Sequence, residues 1–269
     1  VYCHVAAADD GHILSNAGLA GGVGPPQEVY ACHDALELLS GDTYGRALPG
    51  ADGYVKCLKA VAAQLREMLF NAQRYAKEVE AAEKDETKTR PFDMQLEALL
   101  PVIRREIPLK AHAHRADDIL TALRIAKEFD VDITLDHVTE GHLIVNHLVQ
   151  AGKPVLVGPS FGSKSKQELK EKSFATAGVL DNAGLEVCII TDAPVIPLYY
   201  LPLCAGLAVK AGMKEESAWR AITINPAHVV VIDSRVGSLE AGKDADMVLL
   251  DDELNVVMTV GLGRVIYTA

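Results

Sequence analysis

IPLKAHAHRADDILTALRIAKEFDVDITLDH, residues 107–137, decides how this chain folds. It reads as strand, helix, strand. ILTALRIAKEF supplies the apolar face of a helix over residues 117–129. The apolar runs 107–112 and 131–137 suit strands. A helix between two such runs, with short connections, implies parallel strands joined by a crossover.

Outward from this unit the alternation continues. Toward the C-terminus the pattern predicts a helix over 142–151 closed by Gly152, a strand over 154–158, a helix over 174–183 closed by Gly184 and a strand over 185–192. Helices over 200–211 and 215–223 follow. Toward the N-terminus a helix is expected over 94–105. Another is expected over 55–84, where Val55, Leu58, Val61, Leu65, Met68 and Leu69 recur at helical steps. The run KDETKTR after it reads as solvated loop. Residues 1–8 suit a strand, 17–26 a Gly/Pro-rich loop and 27–40 a helix. After residue 230 the helical period stops and short strands and turns take over. The expected division is an α/β domain over 1–230 and a small β-unit over 231–269.

ITLDH, VLVG and VCIITD are apolar until their last residues, as strands buried on both faces are. An open doubly wound sheet and an eight-stranded barrel both fit. No GxGxxG follows a first strand, so a dinucleotide site has no support.

With 269 residues, 49% hydrophobic and 23% charged, the chain is globular rather than disordered. Its net charge of -11 argues against nucleic acid and against a polybasic membrane surface. No apolar stretch approaches the ~18 residues of a membrane span. Five scattered cysteines without a CxxC pair fit a reducing cytoplasm. Val1 replaces an initiator Met and no signal peptide is visible, so the true start is expected upstream.

The polar residues collect at strand ends: His112 and His114, then His137, then Asp192. The carboxyl edge of parallel strands is where such folds build their sites. A single His there is commonly structural, and Asp192 before APVIP suits a turn. HxH is different, because residues i and i+2 share a strand face. Imidazole plus carboxylate suits Zn, Fe, Mn or Ni. A metal in such a set would acidify water, and an adjacent Asp could act as base. His142 is a candidate substrate contact. His147 and His228 read as surface or structural residues. GPSFGSKSK (158–166) lacks Walker spacing and reads as a substrate-facing loop rather than a phosphate cradle.

KAHAHRADDI (110–119), LDHVTEGH (135–142), GPSFGSKSK, ITDAPVIP (190–197), AITINPA (221–227) and VGSLEAGKDADMVLLD (236–251) occur in this order. Together they resemble the metal-dependent amidohydrolase superfamily, above all its imidazolonepropionase-like branch. The resemblance covers about residues 92–251 and implies a (β/α)8 TIM-type barrel with a small C-terminal β-sandwich remnant. It also implies one or two divalent ions, Zn foremost, with Fe or Mn as alternatives. By the same resemblance His112 stands for the metal-binding His of the fifth strand. His137 stands for the sixth-strand His, a ligand or a substrate contact, and Asp192 for the eighth-strand Asp that binds metal and moves the proton. His114 and Arg115 would then lie near substrate.

The first half departs from the family pattern. Tyr2-Cys3-His4 is the nearest match to the first-strand HxH, so His4 is the expected ligand there. Asp42 is the expected fourth-strand carboxylate. Too few residues separate His4 from Asp42 to hold the intervening strands and helices, so an incomplete barrel is expected.

The expected activity is metal-dependent hydrolysis of a C–N bond in an amide or cyclic amide by metal-activated water. Peptidase-like and deaminase activities are its nearest variants. The alternative is an inactive barrel that binds a small ligand or partner. A Schiff-base aldolase reading would need Lys110, which shares a strand face with His112 and His114. The sequence is compatible with a homo-oligomer.

Overall fold

The computed structural model describes residues 51–164 and 166–269, the side chains of 51–61 excepted. The expectations at 1–8, 17–26 and 27–40, and the candidate ligands His4 and Asp42, lie outside the described residues. The described residues fall into two compact units that divide between Lys153 and Pro154.

The first unit holds α1 (Ala51–Glu83), α2 (Met94–Ile103), β1 (Leu109–Ala113), α3 (Ala116–Phe129), β2 (Ile133–His137) and α4 (Val145–Ala151). β1 and β2 run parallel, with Leu109 opposite Ile133 and Ala113 opposite His137. On α1, Ala62, Leu65, Leu69, Ala72, Ala76 and Val79 form the buried stripe at helical spacing. Tyr75, Ala76 and Val79 meet Leu100 of α2. α3 buries Ile119, Ala122, Ile125 and Phe129, while Leu109, Ala111 and Ala113 are the buried positions of β1. Ile119 and Ile125, at 0% and 1% exposure, each contribute about 1.5–3 kcal/mol by leaving water.

Local chemistry sets the ends. Asp93 caps α2 by accepting from the amides of Gln95 and Leu96. β1 begins at Leu109, two residues later than the apolar run suggests. Pro108 precedes it and has no N–H for a ladder. β2 begins at Ile133 because the Val131 amide is already spent on the Ala126 carbonyl, closing α3. Asp132, at that closure, accepts from Arg105 at 3.1 Å and Lys153 at 2.7 Å. Those two donors hold its carboxyl below its usual range.

A second carboxylate ties α1 to α2. Glu97 accepts from Arg90 at 2.6 and 2.9 Å and from the Tyr75 hydroxyl. Arg90 first, then Tyr75, hold the Glu97 carboxyl below the ordinary range. A carboxyl lowered by folding stabilises above its unfolded pKa of about 4.3, and that stability is lost as pH falls through the folded value. Glu97→Gln is therefore expected to be about 1 kcal/mol less stable than the parent at pH 7. The gap should close in acid, below the folded value. Urea midpoints at both pH values check this, and a gap that does not change with pH would refute it.

The second unit, Pro154–Ala269, begins with the parallel pair β3 (Val155–Val157) and β4 (Val187–Ile189), joined through α5 (Ala175–Asn182). α6 (Leu201–Lys210), α7 (Glu215–Ala221) and α8 (Ile224–Val229) follow. The Asn225 side-chain amide donates to the Val187 carbonyl at 2.8 Å, anchoring INPAHV to β4. His228 sits between Glu186 and Asp233, at 3.1 and 3.3 Å. VGSLEAGKDAD makes the turn beyond α8. A Cβ on Gly237, at φ 92°, would lie 2.7 Å from the Ala227 Cβ, so only glycine allows this approach. The chain then forms the antiparallel sheet of β5 (Met247–Leu250), β6 (Val256–Gly261) and β7 (Arg264–Thr268).

Candidate metal centre

In the first unit the carboxyl ends of β1 and β2 bring three imidazoles together. The potential ligand atoms of His112, His114 and His137 all lie within 4.8 Å of one another. His137 Nε2 stands 3.1 Å from His112 Nδ1. Two nitrogens bound to one tetrahedral zinc at about 2.0–2.1 Å would be about 3.3–3.4 Å apart, so this spacing suits a shared ion. The His114 and His137 rings stack at 4.5 Å and 22°, and the His112 and His137 rings are 4.1 Å apart.

The backbone explains how His137 arrives. Register pairs His112 with Asp136 and Ala113 with His137. Strict alternation would turn the His112 and His137 side chains to opposite faces. φ is 72° at His137 and 46° at Val138, so the chain leaves the extended region at this residue. Left-handed backbone on residues with a Cβ is costly and collects at functional sites. His137 is 4% exposed.

His114 lies one residue past β1, and its Nδ1 is 2.8 Å from Thr139 Oγ1. Arg115 makes a two-point contact with Asp117 in the first turn of α3, at 2.9 and 3.1 Å. His142 falls in a short 3-10 turn, Gly141–Leu143, rather than in a continuous helix over 142–151. On the face shared by Lys110 and His112, Lys110 Nζ meets both oxygens of Asp136 at 3.2 and 3.1 Å. Its amine is thus engaged, which leaves the Schiff-base reading without support.

Asp192 belongs to the second unit, three residues past β4. It opens a turn in which its carbonyl accepts from Val195 at 2.7 Å, and its φ is 55°. The GPSFGSKSK loop follows β3 in the same unit. Beyond that loop, Lys172 donates to the Phe161 carbonyl at 3.0 Å. Burial pushes the Lys172 ammonium below its usual range against the pull of Asp192, and Lys164 and Lys166 add to the fall.

Sequence reasoning missed Thr139, Glu140 and Asp136, although LDHVTEGH contains all three. Polar residues at or just past a strand end, beside a candidate ligand, are the signal that could have found them.

The Amidohydrolase family pattern matches residues 95–266, well over half of the chain. The chain belongs to this family. The fold that accompanies it is the (β/α)8 barrel. The parallel βα units and the separate antiparallel sheet are the parts of that architecture among the described residues. An amidohydrolase of Thermotoga maritima is similar in structure, with a TM-score of 0.73 and 35% identity. That likeness covers 78% of this chain and 56% of the other. The imidazolonepropionase of Syntrophobacter fumaroxidans is 35% identical over 95 residues, which are 34% of this chain and 22% of that enzyme. An amidohydrolase of Hapsidospora irregularis is 26% identical over 167 residues, 61% of this chain and 17% of its own length. The chain thus spans about a fifth of the curated relatives it matches. No helix among the described residues of this amidohydrolase-family chain is long and apolar enough to cross a membrane.

Proposed function

We propose that this chain carries the metal centre of an enzyme that hydrolyses a C–N bond in a small amide, cyclic amides included. The observation that carries the reading is the cluster of His112, His114 and His137 at the ends of two parallel strands. Three neutral imidazoles suit a borderline divalent ion, zinc foremost, with iron or manganese as alternatives. His4 and Asp42 are the proposed further ligands. A divalent ion bound there supplies an acidified water and a polarised carbonyl.

The remaining chemistry falls to the chain itself. The C–N bond breaks, the water oxygen stays on the acyl carbon, and the nitrogen leaves with a proton. We assign that proton transfer to Asp192, as acceptor from water and donor to nitrogen, and metal ligation as its second role. His137 or His114 is assigned to help stabilise the oxyanion. Arg115 and His142 are assigned to substrate contact. Neither nucleic acid nor a membrane surface is assigned as a partner. The cytoplasm is the proposed compartment, and the 1–230 and 231–269 division remains the proposed domain plan.

A panel of cyclic amides, acyl amino acids and aminopurines tests the activity on metal-loaded protein. Hydrolysis that falls about 100-fold in Asp192→Asn supports the reading, since a positioned base contributes about 10²–10⁴-fold. A chain that binds metal yet hydrolyses no member of the panel supports a ligand-binding barrel instead.

A further inference from the structure

His114 is the member of the cluster that no strand holds. β1 ends at Ala113, so the ladder stops one residue short of it. The segment after β2 takes over. The Val138 amide donates to the Ala113 carbonyl at 3.1 Å, and the Glu140 amide to the His114 carbonyl at 2.8 Å. The Glu140 carboxylate then turns back to accept from the Ala116 amide at 2.9 Å, in the first turn of α3. That amide belongs to the group at a helix start that has no partner within the helix. Together these bonds hold the main chain on both sides of His114. Thr139, between the two clamp residues and 7% exposed, holds the ring itself through Nδ1 at 2.8 Å.

The two ring nitrogens of a histidine are coupled: the bond made by one decides what the other presents. With His114 Nδ1 turned to Thr139 Oγ1, Nε2 is the nitrogen through which His114 would serve as a donor. We propose that Thr139 is a positioning residue that holds His114 as the Nδ1–H tautomer, and so makes it a third nitrogen donor rather than only a neighbour of substrate. The proposal rests on the metal-centre reading. It assigns the hydroxyl as acceptor from Nδ1–H, so that the lone pair is on Nε2. Valine in place of Thr139 keeps the branched shape and removes the hydroxyl.

The test uses the full chain and zinc alone, with affinity measured by chelator competition. Thr139→Val is expected to weaken zinc binding about 10- to 100-fold, the usual effect of losing a ligand's outer partner. Thr139→Ser should restore it. In a His114→Ala background Thr139→Val should have no further effect. Long-range ¹H–¹⁵N spectra of the metal-free chain should show His114 as the Nδ1–H form in the parent and the Ser variant, and a mixture in the Val variant. Unchanged zinc affinity in Thr139→Val, or an equal loss in the His114→Ala background, overturns the proposal while the metal centre stands. A parent chain that takes up no zinc overturns both.

Discussion

His137→Ala and His112→Ala are expected to strip the purified chain of its metal, from about one equivalent to a trace after dialysis. Structural zinc sites of four ligands bind with about 10–16 kcal/mol, so one nitrogen donor is worth about 3 kcal/mol, or 10²–10³-fold in affinity. The loss should be of that size from either side, because His137 Nε2 and His112 Nδ1 are close enough to share one ion, 3.1 Å apart. His147 provides the control. It is exposed on α4, away from the cluster formed by the other three, and His147→Ala should keep the metal. Elemental analysis decides the matter. Full occupancy in both cluster variants would mean that the ion sits elsewhere.

Gly158→Ala is expected to destabilise the second unit by about 4 kcal/mol, close to a thousandfold in its folding equilibrium. A Cβ there would stand 2.1 Å from the Ile190 carbonyl oxygen, on a backbone whose φ is 143°. Neither strand can give way. Leu156, Cys188 and Ile190 are at most 4% exposed, and the Ile190 amide donates to the Val157 carbonyl at 3.0 Å. The segment that follows β4 leads to Asp192, so disturbance here reaches the residue assigned to the proton transfer. Gly206→Ala, on α6 with nothing within 4 Å of its Cβ, should be neutral or slightly stabilising. Urea unfolding of both variants is the measurement, and a parent-like midpoint for Gly158→Ala would refute the argument.

Much of this was legible in the sequence because the relevant signals are local. A helical apolar face between two apolar runs forces a crossover between parallel strands, and β1, α3 and β2 form that unit. Exact ends were less legible, since they depend on single hydrogen bonds. β2 starts late because the Val131 amide is taken by α3, and the helix expected over 142–151 is broken by the turn at Gly141–Leu143. In α1 the apolar stripe was read near its start, whereas burial continues through Tyr75 and Val79, where α2 covers it.

The sequence alone determined that polar ligand-type residues stand at the ends of apolar strands, because strand period and residue chemistry are both local. It placed His112 and His114 on one face for the same reason. That His137 belongs with them was implied by the resemblance, but how it reaches them was decided only by the tertiary structure. Its register position assigns it to the other face, and a left-handed φ of 72° breaks the alternation there. The pairing of His114 with Thr139 was decided in the same way, across 25 residues, by the parallel register of β1 and β2. Backbone handedness at one residue and contacts between distant ones are set by packing, and no local pattern encodes them.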